Sequence, residues 1–281
     1  MYPKRLIVDE ARQMGIAIAP LDVNASDSVY RVEDHGNSIR IALSTVAGIS
    51  DGEVQSIIAG RPYIDLNDFV RRSGSSTPVT ESMILTGAFD ALHADVNRRD
   101  LLLHFSDLQK SPSTAVSGAQ MNLGFEPPAL ISSGLPAMTP AESVKYEVDR
   151  LGIDMSRHMI EFYGDFLNAI GAVRSSDLLK QRSQSSVLVA GIKVAMQTPP
   201  VRSGKRVIFV TLDDGYGLSD STFFTDVQGE YANVLYSTSL LLVRGITRRT
   251  GARGISIRAT GAWDLRAAYE SWSTKQSTLA I

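Results

Sequence analysis

Apolar and polar positions alternate with two different periods along this chain, and the change of period divides it. Leu6, Ile7, Ala11 and Met14 recur at helical spacing over Lys4 to Gln13, and Gly15 stops the run. Ile16 to Ala19 and Ser38 to Leu43 then carry short strand-like patterns. From Ser44 to His104 the texture is helical, with a repeated plan of helix, tight glycine turn, helix. Asp107 to Pro140 lacks periodicity and is rich in Ser-Pro, Pro-Pro and Gly signals, which predicts a linker. Helical patterning returns over Glu142 to Arg182.

From Ser186 onward the period is that of strands: Val187–Ile192, Arg206–Leu212, Ser221–Phe224, Ser239–Gly245 and Gly254–Ala259. A short helix, Val227–Leu235, lies between the third and the fourth, and Asp213-Asp214-Gly215 supplies a turn after the second. Five strands with a helix in that place predict an OB-fold barrel. The residues after Leu265 are expected to form a polar, frayed tail. The predicted class is α+β, with domains at 1–40, 41–106, 107–140 (linker), 141–185 (helical connector), 186–265 (barrel) and 266–281 (tail).

Composition narrows the chemistry. The chain has 281 residues, no cysteine and a formal charge of −2, with 43 % hydrophobic and 21 % charged residues. The absence of cysteine excludes disulfides and thiolate metal sites and fits a cytoplasmic protein. No apolar run is long enough for a membrane span or a secretion signal. Overall charge rules out a uniformly basic nucleic-acid binder, so such an activity must come from local patches.

Two such patches are visible. Val46 to Ile58 contains Gly48-Ile49-Ser50-Asp51-Gly52, an apolar hairpin opening a helix. Backbone N–H groups at Gly48, Ile49, Ser50 and Gly52 are candidate phosphate donors, because a helix start leaves its donors unsatisfied and carries the positive end of the dipole. An ordinary core corner would give the same pattern. Met83 to Leu92, with Gly87, reads as a degenerate second copy. The other patch is in the barrel, where Ser186 to Ala262 holds nine Lys and Arg against five acids. Lys193, Arg202, Lys205 and Arg206 fall on or near the first hairpin, and Arg248, Arg249 and Arg253 on the last, where OB-folds hold single strands. Tyr216, Phe223 and Phe224 are candidate stacking platforms, although either Phe could instead be core.

In their order, Ile41-Ala42-Leu43, Val46-Ala47-Gly48-Ile49, Ile57-Ile58, Arg61-Pro62-Tyr63, Leu66-Asn67-Asp68-Phe69 and Leu85 to Leu92 resemble the tandem helix-hairpin-helix region of the bacterial DNA polymerase III alpha subunit, a family C polymerase. Val8 to Ile16 with Asp22-Val23-Asn24 is similar to the end of that family's fingers, and Leu188 to Gly191 with Val207 to Gly217 to its OB domain. Leu135 to Thr139 and Leu151 to Ile153 lean towards the error-prone branch. The resemblance implies a C-terminal portion with a fingers remnant. Its expected role is to hold primer–template duplex and single-stranded template in replication or repair.

Gln120-Met121-Asn122-Leu123-Gly124-Phe125 looks like a sliding-clamp docking peptide, with Met121, Leu123 and Phe125 as apolar anchors and Gln120 at the rim. These residue types are also common enough to coincide by chance. The family's catalytic aspartates belong to a palm domain that this stretch does not contain, so no catalytic residue, metal or cofactor is expected and catalysis would need a separate polymerase subunit. His35, His93, His104 and His158 are scattered singly, and Asp213-Asp214 reads as a turn. A stand-alone DNA-binding repair accessory protein is the alternative reading.

Overall fold

A computed structural model describes residues 4–110, 130–199, 206–249, 251 and 254–279. The chain forms two compact units, 1–157 and 158–281. The expected clamp peptide, together with Arg202, Lys205 and Arg253, lies outside the described residues.

The first unit begins with helix α1 (Lys4–Gln13) and a three-stranded sheet of β1 (Ala17–Ala19), β2 (Arg31–Glu33) and β3 (Ser38–Arg40). Strand β3 is central, parallel to β1 and antiparallel to β2. A 3-10 turn at Leu43–Thr45 leads into α2 (Asp51–Ala59), α3 (Leu66–Arg72), α4 (Thr77–Leu85), α5 (Arg98–Lys110) and α6 (Pro140–Leu151). One continuous core runs through these elements, from Val8 to Met155. At its centre the ring of Phe69 meets Tyr63 and Phe89 edge-on, each at 5.0 Å between centroids. Such edge-to-face pairs add ~0.5–1.5 kcal/mol each beyond the area they bury. The fingers remnant, the hairpins and α6 of the helical connector, drawn as separate domains from the sequence, share this core. Ala47 N–H donates to the carbonyl of Arg150 at 2.8 Å, so α6 braces the first hairpin directly.

In the second unit, a 3-10 turn (Met159–Tyr163), α7 (Gly164–Ala169) and α8 (Ser175–Leu178) precede the strands. These are β4 (Ser186–Gln197), β5 (Ile208–Asp213), β6 (Leu218–Phe223), β7 (Leu240–Arg249) and β8 (Ile255–Asp264). They close into a barrel of order β4-β5-β6-β8-β7, with β6 and β8 parallel and the rest antiparallel. Helix α9 (Thr225–Ser237) sits between the third and fourth strands. That order and helix position are those of an OB-fold.

Strand β5 alternates as a half-buried strand should: Ile208, Val210 and Leu212 face the interior and Phe209 faces out. Strand β7 begins differently, because Leu240 to Val243 are all buried. Leu241 and Val243 fill the barrel, whereas Leu240 and Leu242 pack outward against a second cluster containing Phe166, Tyr269 and Trp272. The expected frayed tail is therefore wrong over most of its length: α10 (Leu265–Leu279) is a helix. Leu265, Ala268, Tyr269 and Trp272 stand at the i, i+3, i+4, i+7 spacing of a buried helical stripe. Tyr269 meets Tyr163 and Phe166 edge-on at 5.2 and 5.9 Å.

Candidate nucleic-acid interface

The first hairpin runs from Val46 to Ser50 and is exposed at Gly48. Gly48 has φ +80°, a left-handed conformation in which only glycine is unstrained, and open space lies where a side chain would begin. Ser50 caps α2, and its hydroxyl accepts from Glu53 N–H at 3.2 Å. The carboxylate of Glu53 returns the bond, accepting from Ser50 N–H at 2.9 Å and from the Ser50 hydroxyl at 2.8 Å. It also accepts from Ser76 N–H, at the start of α4, at 2.9 Å. Hydrogen bonds from the Ser50 and Ser76 backbones hold the Glu53 acid down at about 2, against an ordinary 4.5.

This capping box changes what the hairpin offers. Ser50 N–H, a candidate phosphate donor, is already taken by the Glu53 carboxylate, which is ionised near neutral pH. Ile49 N–H donates to the carbonyl of Val46 at 3.2 Å. The N–H groups of Asp51 and Gly52 belong to the first helical turn, which has no intrahelical acceptor for them. Two carboxylates, Asp51 and Glu53, stand in that turn. The helix start is thus compensated from within, a feature the sequence analysis missed although Ser50-x-x-Glu53 is a legible capping box.

At the second hairpin Gly87 has φ +87°, and the Arg98 guanidinium fills the adjacent space, bonded to Asp90 at 2.7 Å and to the carbonyl of Leu85 at 3.0 Å. Two histidines close local frames: His93 Nε2 accepts from Leu66 N–H at 3.0 Å, and His104 Nε2 lies 2.7 Å from Asn67 Oδ1. Burial pushes both imidazoles below their ordinary value.

On the barrel, the expected residues separate. Phe223 is fully buried in the interior and is no stacking platform, because its strand position faces inward. Phe224, one residue on, is 38 % exposed, and the Arg258 guanidinium lies 5.4 Å from its ring. Lys193 donates to the carbonyl of Leu235 at the end of α9, and burial pushes its ammonium below the ordinary value. Arg249 reaches the carbonyls of Leu179 and Gln181. Both cations are therefore engaged with backbone carbonyls, although Arg249 is exposed, as are Arg206 and Arg248.

Strand pairing generates an outer stripe that the sequence analysis did not find. Phe209 pairs with Thr222, Thr222 with Arg258, and Arg258 with Ile246, so these side chains cross β5, β6, β8 and β7 in one line. Phe209 is 43 % exposed and Ile246 36 %. Phe224, the residue between β6 and α9, stands beside the stripe with the Arg258 guanidinium 5.4 Å from its ring. Acids border the stripe: Asp226 pairs with Arg258 at 3.0 Å, and Asp220 accepts from the Thr211 hydroxyl at 2.7 Å. The surface is one of exposed rings beside guanidinium groups, which suits bases better than a dense phosphate track. Farther round, Trp263 lies under Arg244 at 5.5 Å.

At the β5–β6 turn Asp214 accepts from Ser175 N–H at 2.7 Å, the Ser175 hydroxyl at 2.6 Å and Tyr216 N–H at 3.0 Å. Asp213 accepts from Gly215 N–H at 2.9 Å and faces His158 at 3.7 Å. Tyr216 is 45 % exposed and carries Arg174 over its ring at 4.3 Å. No helix among the described residues is long and apolar enough to cross a membrane.

Comparison with known proteins agrees with both halves. A family model described as a helix-hairpin-helix motif matches residues 15–101. The error-prone DNA polymerase of Symbiobacterium thermophilum is 28 % identical over 91 % of this chain and 28 % of that protein. That of Bdellovibrio bacteriovorus is 27 % identical over 89 % of this chain and 25 % of its own length. The DNA polymerase III subunit alpha of Escherichia coli K12 is 26 % identical over 95 % and 24 % respectively. The chain thus spans about a quarter of the length of the curated relatives it matches. With its helix-hairpin-helix segment and closed five-stranded barrel, the chain is a homologue of the C-terminal part of the bacterial DNA polymerase III alpha subunit and the error-prone DNA polymerases.

Proposed function

We propose that this chain is the DNA-holding portion of an error-prone DNA polymerase III alpha-like protein. In this reading the barrel takes single-stranded template across Phe209, Phe224 and Arg258, and the first hairpin lies against the backbone of primer–template duplex. The observation that carries the reading is the outer stripe, where exposed rings and a guanidinium stand on one face of an OB-fold barrel. Bases of any sequence stack on such rings, at ~1–3 kcal/mol per base. Exposed Arg248 and Arg206 add phosphate contacts at the strand ends. At the hairpin, the donors that Glu53 leaves at Asp51 and Gly52 contribute position without reading sequence.

Nucleotidyl transfer, on this view, is supplied by a polymerase palm acting with the chain, in replication or repair synthesis. Gln120 to Phe125 is the segment we assign to a sliding clamp. The test is a pair of substitutions in the full chain, Phe209→Ala and Phe224→Ala, assayed by anisotropy on a mixed-sequence single strand. Both should weaken binding, together by about ten-fold or more. Unchanged affinity would move the single-strand site off this face.

A further inference from the structure

A cavity of about 250 Å³ opens beside the β5–β6 turn, within the second unit and away from the outer stripe. Ile160, Leu167 and Val173 give it apolar walls. Glu161 and Asn168 also line it, and the side chains of both are exposed. Asp214 and the stacked pair of Arg174 and Tyr216 stand at its border.

The Asp214 carboxylate fastens this border. Asp214 ties the turn to Ser175, the residue after Arg174, through two bonds of 2.6 and 2.7 Å. A third bond, from Tyr216 N–H, fixes the turn itself. Gly217 has φ +152°, and a side chain there would press on Ser175 at 3.0 Å, so the turn closes only with glycine. The backbones that carry Arg174 and Tyr216 are therefore tied together, and the guanidinium lies over the ring at 4.3 Å.

Size and lining select a class of ligand. The volume is below the ~300–1,000 Å³ of pockets for drug-sized molecules, which suits one ring system. A nucleobase has two apolar faces and a polar edge. Apolar walls suit the faces, Asn168 offers both donor and acceptor, and Glu161 offers acceptors only. An exposed tyrosine and a guanidinium plane are both platforms on which an unstacked base rests, and the Arg174 charge is complementary to the adjoining phosphate. We infer that this cavity is a subsite for one unstacked nucleobase of single-stranded DNA. The inference rests on the proposed function, since it requires a single strand on the barrel.

Two strands of equal length separate the subsite from the phosphate contacts: a mixed-sequence single strand and an abasic strand with the same backbone. In the full chain, Tyr216→Ala should weaken the base-bearing strand by about ten-fold and leave the abasic strand unchanged. Ala172→Leu, which fills the cavity from its lining without altering the turn, should do the same. Equal effects on both strands, or none on either, would overturn the subsite while the proposed function stands. Failure of the unsubstituted chain to bind either strand would overturn both.

Discussion

Arg5 and Asp154, 149 residues apart in the sequence, meet in a two-pronged ion pair with bonds of 3.1 and 2.7 Å. Asp154 is fully buried, and Arg12 donates to the carbonyls of Asp154 and Met155 from the next turns of the same helix. This cluster fastens α1 to the segment after α6, beside the core that the two share. Removing one partner of a buried pair strands the other without compensation, at ~3–5 kcal/mol. Asp154→Ala should lower the melting temperature of the first unit sharply, read by thermal denaturation, whereas the exposed pair of Lys110 and Asp107 should be nearly silent to Asp107→Ala.

Adjacent phenylalanines should respond in opposite ways. Phe223→Ala empties a place in the barrel interior and should cost ~3–5 kcal/mol of stability. Phe224→Ala should leave the melting temperature nearly unchanged and weaken single-strand binding instead. Circular dichroism melts and anisotropy on the same samples distinguish the two.

Much of this was legible in the sequence, and the failures have physical causes. The barrel's strand count and its helix were readable because period-2 runs and an Asp-Asp-Gly turn are local signals. Which of Phe223 and Phe224 faces inward depends on the register of β5 against β6, and register is set by partners rather than by either residue. The tail was misread because its polar residues dominate the composition, although Leu265, Ala268, Tyr269 and Trp272 already carried the helical stripe. Lys193 and Arg249 looked like a free charge cluster because sequence cannot show that carbonyls of Leu235, Leu179 and Gln181 lie within reach. That the first helix and the segment after α6 share one core was not legible either, since Arg5 and Asp154 meet only in three dimensions.

Glu53 should contribute to the acid limb of the first unit's stability, alongside Asp68, Asp100 and Glu142, whose acids are also held low by hydrogen bonds. Its folded value of about 2 lies below the ordinary 4.5, so the folded state releases its proton more readily than the unfolded chain. The contribution is therefore complete above pH 4.5 and is lost as pH falls towards 2. Glu53→Gln should flatten the stability profile across that window in thermal melts taken at successive pH values. It should also strengthen duplex binding near neutral pH, because it removes a negative charge from the hairpin; weakened duplex binding would show that the carboxylate is needed to shape the hairpin.

Neighbouring arginines on β7 should separate in the same way as the phenylalanines. Arg248→Ala removes an exposed charge and should reduce the log–log salt slope of single-strand binding by ~0.7 without loss of stability. Arg249→Ala frees the carbonyls of Leu179 and Gln181, and should raise amide exchange over residues 179–183.

A salt titration tests whether this chain holds DNA without reading its sequence. Dissociation constants of the full chain for a single strand, its base-scrambled counterpart and a primed duplex should be measured from about 50 to 200 mM salt. We predict binding to all three, equal affinity for the two single strands, and affinity that falls linearly with the logarithm of salt concentration. Absence of binding at about 50 mM salt, or affinity indifferent to salt, would contradict it.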